Sequence, residues 1–125
     1  MKGLRLFVRA IESPDHEIVS TFLHRNDLPA SVPACGLLGK LLGETVAVLA
    51  MRVTADAVEV DQIVVERTLR KKRIGRAMLL ELEGIAAKMD RRQLVVSGTQ
   101  EEHAEFLRRV GFEREGPRWV RRVRT

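Results

Sequence analysis

The residues with the clearest potential for chemistry lie between positions 67 and 76, where six of ten side chains are Lys or Arg. The run closes on Ile74-Gly75-Arg76-Ala77, and a segment with an apolar stripe of helical period follows. The first N–H groups of a helix have no partner within the helix, and the helix dipole adds partial positive charge there. Gly75 and Ala77 have almost no side chain, so a phosphate could come close to the backbone. This pattern predicts a pyrophosphate-binding loop.

Two carboxylates, Glu59 and Asp61, lie on a predicted strand just before this loop. Side chains alternate between the two faces of a strand, so these carboxylates share one face with Ile63 and Val65. A carboxylate there could accept a proton, directly or through water, from an amine that is mostly charged at neutral pH. An equally simple interpretation is that both carboxylates form the solvated face of a half-exposed strand.

The composition predicts a single folded domain over residues 1–125, with 45% hydrophobic and 31% charged residues. The formal net charge of +5 suits nucleic acid, an anionic membrane or a phosphorylated cofactor as a partner. Aromatic residues make up 4% of the chain, Tyr is absent, and the basic run contains none of them. A stacking platform for single-stranded nucleic acid is therefore not favoured, and nucleic acid is an unlikely partner on this pattern.

No apolar run approaches the roughly 18 residues of a membrane span, and no signal-peptide core is visible. We therefore expect a cytoplasmic protein that does not associate with membranes. Cys35 is the single cysteine, which excludes an internal disulfide, and with only three scattered histidines beside it no metal site is predicted. Cys35 could form an acyl-enzyme, but a lone cysteine is more commonly a small buried apolar residue.

Hydrophobic periodicity predicts the element order β-α-β-β-β-α-β-α-β-β. A helix joins the fourth and fifth strands, so we expect that pair to be parallel, whereas the hairpins are antiparallel. The fold class is therefore α+β, with a mixed, mostly antiparallel sheet and helices on both faces. The predicted strands are Leu4–Val8, Cys35–Leu42, Thr45–Val53, Ala57–Val65, Gln93–Ser97, Phe112–Glu115 and Arg118–Val123.

Local signals place the ends of several elements. Ser13 is the predicted capping residue of the first helix, and Thr99 with Glu102 has the spacing of a capping box for the last one. Gly43-Glu44 is predicted as a tight turn, and Gly111 as the end of the last helix. The C-terminal arginines, Arg118, Arg121, Arg122 and Arg124, are interpreted as solvated charge on an edge strand, which discourages pairing between sheets.

Two stretches resemble motifs of the GNAT superfamily of acyl-CoA-dependent N-acyltransferases. Residues 70–77 are similar to the family's acyl-CoA loop. That loop usually has Gln or Arg, then any two residues, Gly, any one residue, and finally Gly or Ala. Lys72 occupies the first of these positions. Residues 106–112 are similar to the second motif, commonly an aromatic residue or Leu, then Tyr, three residues and Gly-Phe. The predicted element order also matches that fold over essentially the whole chain.

The resemblance implies an N-acetyltransferase that moves an acetyl group from acetyl-CoA to a primary amine by direct attack in a ternary complex. It places the cofactor between the strand ends Gln62–Val65 and Leu94–Ser97, with an amide near the end of the first strand polarising the carbonyl. It favours Glu59 as the base, with Asp61 second. The implied cofactor-binding residues are Val64, Val65, Lys72, Arg73, Ile74, Gly75, Arg76, Ala77 and Gln100, the last standing for an Asn that often opens the second motif.

The departures from the family pattern keep alternatives open. Leu107 stands where many members have a tyrosine that can protonate the departing thiolate, and Arg73 replaces a frequent glycine. The CoA thiolate could leave unprotonated or take a proton from water, and His103, one turn earlier, is a weak substitute acid.

The alternatives are a non-catalytic GNAT-fold module that binds acyl-CoA or a partner and, less favoured, a basic nucleic-acid-binding domain. A homodimer through an edge strand is also open, and the amine acceptor has no readable signature.

Overall fold

The computed structural model describes residues 5–29, 31–69, 73–97 and 101–123, with only the backbone at 101 and 102. Within these residues seven strands form one sheet in the order β1-β2-β3-β4-β5-β7-β6. The elements are β1 Leu6–Ala10, α1 His16–Arg25, β2 Gly36–Leu41, β3 Glu44–Val53, β4 Ala57–Val65, α2 Ile74–Lys88, β5 Gln93–Ser97, α3 Glu101–Arg109, β6 Glu113–Glu115 and β7 Arg118–Arg122.

The predicted element order and the α+β class with a mixed, mostly antiparallel sheet are confirmed. The parallel step is β4 with β5, whose register runs from Ala57↔Gln93 to Val60↔Val96. A helix between two strands returns the chain to the same end of the sheet, which makes a parallel pair the natural outcome. The placement of helices on both faces stays a prediction.

The chain divides into two compact units, the first made of Met1–Ala50 and Gln62–Leu79, the second of Met51–Asp61 and Leu80–Thr125. The first unit has a core in which the apolar stripe of α1 packs on the strands. Aromatic and aliphatic side chains removed from water in this way supply most of the stabilisation of a small fold. The buried members are Val19, Phe22, Leu23, Leu38, Val48 and Val64.

The start of α1 differs from the prediction. Ser13-Pro14-Asp15 forms a short 3-10 turn whose N-cap is Glu12, not Ser13, and Asp15 completes a capping box by accepting a hydrogen bond from the Glu12 N–H at 2.8 Å. Arg9 donates to both Asp15 oxygens at 2.7 Å, and these bonds together with the Glu12 N–H hold the pKa of Asp15 well below its ordinary value. The prediction of Ser13 as the capping residue was therefore wrong.

The β2–β3 turn lies one residue earlier than predicted, at Leu42-Gly43 rather than Gly43-Glu44. Both turn residues have positive φ, 52° at Leu42 and 81° at Gly43. Two-residue hairpins favour this geometry because its twist matches that of the strands. Leu42 carries no sequence signal for such a conformation, so the prediction was wrong by one position.

In the second unit, α3 ends at Arg109, and Gly111 forms its C-terminal cap, as predicted. Gly111 has φ +97°, the Phe112 N–H donates to the Leu107 carbonyl at 2.9 Å, and the Gly111 N–H donates to Arg108 at 3.0 Å. These two bonds are the Schellman arrangement, which satisfies carbonyls that the helix end would leave open. Residues 111–112 therefore turn the chain from α3 into the β6–β7 hairpin.

The interpretation of the C-terminal arginines as charge on an edge strand was wrong for Arg118, Arg121 and Arg122, because their strand β7 lies inside the sheet. Arg118 and Arg122 are exposed, and Arg124 lies outside the described residues. β7 pairs with β5 on one side and β6 on the other, so β6 is the outer strand. Arg121 is largely buried, and its guanidinium binds Glu83 at 3.0 Å and the Val110 carbonyl. The contact is long-range, between residues 38 positions apart, and no local pattern announces it.

Candidate functional site

The cation-rich run forms the junction between β4 and α2, within the first unit. β4 ends at Val65, Arg67–Leu69 forms a 3-10 turn, and α2 begins at Ile74. The Ala77 N–H donates to the Arg73 carbonyl at 3.0 Å, the first bond of the helix. The N–H groups of the three residues between them therefore have no acceptor within α2. The sequence prediction of a helix start at this point is confirmed.

The first turn of α2 combines one buried side chain, two small residues and two exposed arginines. Ile74 is buried and anchors the turn, whereas Arg73 and Arg76 are exposed. Gly75 and Ala77 are partly buried, and neither carries a bulky side chain. Arg73 has φ +64°, a left-handed conformation that is uncommon for a residue with a side chain. An anion at this turn would meet backbone donors flanked by two guanidinium groups.

α2 lies close to the strands of its own unit because β2 has a glycine beneath it. A Cβ added at Gly39 would lie 2.9 Å from the Met78 sulfur, closer than packed atoms approach. Met78 and Leu79 are buried on the same stretch of helix. The start of α2 is thus fixed by packing.

The positive charge of the chain is concentrated in this unit. The residues of the first unit include 11 Lys and Arg against 6 Asp and Glu, a difference of +5, whereas the second unit has 11 of each. The whole formal excess of the protein therefore belongs to the part of the chain that contains the β4–α2 junction. Such a distribution favours an anionic ligand there.

The junction is tied to the end of α1 by contacts that the sequence did not reveal. The Arg67 N–H donates to the Asn26 side-chain oxygen at 3.2 Å, and Arg25 donates to Glu66 at 2.6 and 3.1 Å. Arg67 also pairs with Asp27. The hydrogen bonds from Arg25 hold the pKa of Glu66 below its ordinary value, against the opposing effect of burial. The residues are about 40 positions apart, and the segment from Asn26 onward carried no motif.

The two candidate carboxylates lie on β4 in the second unit and share one cation, as their common face predicts. Arg52 of β3 lies 3.1 Å from Asp61 and 3.5 Å from Glu59. Glu59 is partly buried, and Asp61 is exposed. The sequence analysis did not identify Arg52 as their partner. Its position two residues before the β3–β4 turn was a usable signal, because a tight turn brings the residues on its two sides together. In the structure this turn is closed by the Thr54 N–H, which donates to the Ala57 carbonyl.

The remaining sequence-predicted residues differ in how far they are exposed and in whether the structure describes them. Val64 is buried and Val65 partly buried at the end of β4, whereas Lys72 and Gln100 lie outside the described residues. Leu107, in the place of the family's tyrosine, is 3% exposed, and His103 is exposed on the same helix. The expectation of a buried cysteine was wrong, because Cys35 is exposed.

The described part of the chain has neither a metal cluster nor a helix that could span a membrane. Among the described residues, no three His, Cys, Asp or Glu side chains come together as a metal site would require. Over the same residues, no helix combines the length and apolar character needed to cross a bilayer.

Neither protein-family models nor curated protein sequences gave a match to this chain. Solved structures did. The ribosomal-protein-S18-alanine N-acetyltransferase from Escherichia coli superposes with a TM-score of 0.80 at 14% identity, over 97% of this chain and 96% of that one. An aminoglycoside 6'-N-acetyltransferase complexed with coenzyme A gives 0.77 at 14% identity, over 95% and 98%.

A GNAT family N-acetyltransferase from Escherichia coli in complex with CoA gives a TM-score of 0.73 at 16% identity, over 99% of this chain and 84% of that one. Similarity at this level of identity establishes the fold. The chain has the fold of the GNAT N-acetyltransferases, and the resemblance inferred from its two motifs is confirmed at that level.

Proposed function

We propose, from the GNAT fold of the chain, that it is an N-acetyltransferase which transfers an acetyl group from acetyl-CoA to a primary amine. The observation that carries the proposal is the β4–α2 junction. It combines three backbone amides at the helix start with the small residues Gly75 and Ala77 and with two exposed arginines. It also belongs to the unit that carries the whole formal positive charge excess of the protein. Structures of this fold solved with coenzyme A support the choice of ligand.

In the proposed complex the amides of Ile74, Gly75 and Arg76 donate to the diphosphate, and Arg73 and Arg76 supply whole charges. Hydrogen bonds between charged partners are about twice as strong as neutral ones. Lys72 and Gln100 belong to the proposed binding set on the motif alone. Val64 and Val65 are the proposed source of the backbone donor that polarises the thioester carbonyl.

Glu59 is the proposed general base, with Asp61 as the second choice. The carboxylate first accepts a proton from the ammonium group of the acceptor, and the neutral amine then attacks the thioester carbonyl. The nitrogen loses its second proton to water as the C–S bond breaks with the electron pair leaving on sulfur. An incoming amine must share the carboxylates with Arg52. Exposed ion pairs contribute only about 0–1 kcal/mol, so the guanidinium can give way at little cost.

The thiolate leaves without a protein acid in this proposal. Leu107 has no proton to give, and it is buried. His103, which is exposed on α3, is not required as an acid in this proposal. A CoA thiolate is stable enough at neutral pH to depart unprotonated, since the ordinary thiol pKa is about 8.5.

A non-catalytic module is the second candidate, and buried Leu107 is the observation that favours it. Such a protein would hold acyl-CoA or a partner without turnover. It shares the cofactor site with the enzyme but needs neither Glu59 nor an amine.

We further propose that residues 1–125 act as one domain in either case, and that any homodimer pairs through an outer strand, β1 or β6.

Calorimetric titration with acetyl-CoA, followed by thiol-release assays over a panel of amines, tests these functions. Binding with release on at least one amine supports the enzyme. Binding without release on any amine favours the module, and no binding removes both. In the last case, retention on nucleic acid that weakens steeply with salt would indicate the basic-domain alternative.

A further inference from the structure

Arg52 contacts the two candidate carboxylates of β4 unequally. Its Nε–H donates to both Asp61 oxygens, at 3.1 and 3.2 Å. Its Nη2 lies 3.5 Å from a Glu59 oxygen, which makes an ion pair but is too long for a good hydrogen bond. All three residues belong to the second unit. Asp61, rather than Glu59, is therefore the hydrogen-bond partner of the guanidinium.

The pairing of β3 with β4 makes Glu59 the nearer neighbour of Arg52 along the sheet. The Thr54 N–H donates to the Ala57 carbonyl at 2.9 Å and closes the turn between the two strands. Counting outward from this bond places Arg52 directly across from Glu59, with Asp61 one step further on the same face. Directly opposed residues have Cβ atoms about 4.5–5.5 Å apart, and diagonal neighbours are about 7–8 Å apart. The arginine therefore extends past its opposite neighbour to bind Asp61.

This arrangement leaves the hydrogen-bonding capacity of the Glu59 carboxylate free. Its side chain is 27% exposed, so a solute can reach it. Glu59 lies on the stretch of β4 that pairs with β5, next to Val95, whereas Asp61 lies beyond the last pair of that register, Val60 with Val96. Across the residues that the structure describes, no side chain donates a hydrogen bond to Glu59. A carboxylate with open lone pairs on a paired strand can accept a proton from an ammonium group.

We infer that Asp61 is a positioning residue that holds the guanidinium of Arg52 away from the base Glu59. Without the Asp61 carboxylate, the remaining carboxylate of this cluster is Glu59, and the arginine would compete with the acceptor ammonium for its oxygens. In this role Asp61 takes no proton and need not touch the acceptor. The inference rests on the proposed function, because it assigns Asp61 a role at the same site.

The test is a double-variant cycle of Asp61→Ala and Arg52→Gln. Kinetics are measured at saturating acetyl-CoA with the amine of the panel that gives the fastest thiol release in wild type. We expect Asp61→Ala to lower kcat/KM for the amine about two- to fivefold, the range that the weak coupling of exposed ion pairs gives. The loss should appear in KM, because the arginine then competes with the amine. In the Arg52→Gln background the same change should have no effect, because no guanidinium is left to hold back.

Glu105→Ala is the matched control. Glu105 is also an exposed carboxylate of the second unit that binds an arginine, Arg109, at 2.9 Å, but it lies on α3. The variant removes the same charge and the same kind of ion pair, so its kinetics should equal those of wild type.

A crystal structure of Asp61→Ala gives a readout that does not depend on turnover. An Arg52 nitrogen should lie within about 3.2 Å of a Glu59 oxygen. If Asp61→Ala does not fold, Asp61→Val replaces it in both experiments with the same expectations, because valine favours strands and accepts no hydrogen bond.

The outcomes are distinct. A loss in Asp61→Ala that Arg52→Gln does not restore overturns the inference, and an unrestored loss of about 10²-fold or more would identify Asp61 as the base. Unchanged kinetics in Asp61→Ala, an equal loss in Glu105→Ala, or a guanidinium that stays away from Glu59 in the crystal also overturns it. Failure of the proposed function is separate. A wild-type chain that binds no acetyl-CoA, or that releases no thiol with any amine, removes the enzyme, and the role of Asp61 falls with it.

Discussion

Replacing Gly75 with valine tests the phosphate site most directly. Gly75 is the second residue of α2, and its missing side chain leaves the amides of the first turn open. A branched side chain there would stand where the phosphate oxygens must lie, about 3 Å from the donors. The expected result is a large loss of CoA affinity without loss of the fold.

The size of the loss follows from the bonds removed. Hydrogen bonds to charged groups contribute about 1.5–3 kcal/mol each. If two amides lose their phosphate, the cost is about 3–6 kcal/mol, or about 10²–10⁴-fold in Kd. Stability should change in the opposite direction or not at all, because valine exceeds glycine in helix propensity by less than about 0.5 kcal/mol.

Gly84→Val is the matched control. Gly84 lies in the same helix, is exposed, and a Cβ added there would meet no atom within 4 Å. Calorimetry with CoA and thermal unfolding of both variants complete the test. Wild-type affinity in Gly75→Val would refute the phosphate site, and an equal loss in Gly84→Val would show that α2 tolerates no branched residue.

Three other predictions concern the general base, the loss of folding stability at low pH and the C-terminal end of α3. Glu59→Gln is expected to lower kcat by about 10²–10⁴-fold, the usual contribution of a general base, with the CoA Kd unchanged by calorimetry. Because Arg9 holds the pKa of folded Asp15 below its ordinary 3.8, the stability from this pair is complete above about pH 5 and is lost as pH falls toward the folded pKa. Urea unfolding from about pH 7 to pH 3 should therefore show a shallower acid loss in Asp15→Asn. Gly111→Ala should destabilise the chain by roughly 1–3 kcal/mol in urea, since its φ is +97° and the new Cβ would lie 2.8 Å from an Arg121 nitrogen.

Each of these has a result that would contradict it. An unchanged kcat in Glu59→Gln moves the base elsewhere, with Asp61→Asn as the next variant to measure. If the free energy of unfolding falls equally with pH in wild type and in Asp15→Asn, other carboxylates determine the loss of stability in acid. Wild-type stability in Gly111→Ala would show that the helix end relaxes around a side chain.

Local sequence patterns were enough to predict the order and type of the elements. Ala57–Val65 and Gln93–Ser97 have the predicted bounds, because β-branched alternation and flanking turn residues act within a few positions along the chain. The helix start after the basic run was predicted for the same reason. The turn at Leu42 was misplaced because its positive φ is imposed by the pairing of β2 with β3, not by leucine itself.

The contacts between charged and polar groups depend on the tertiary fold and could not be read from local patterns. Asn26 reaches Arg67 across 41 positions, and Arg121 reaches Glu83 across 38. Such partners are determined by the course of the chain through the sheet, and an arginine that binds a partly buried carboxylate has the same kind of local sequence as one in solvent. The sequence therefore located the proposed phosphate site, while folding alone supplied the contacts that hold it in place.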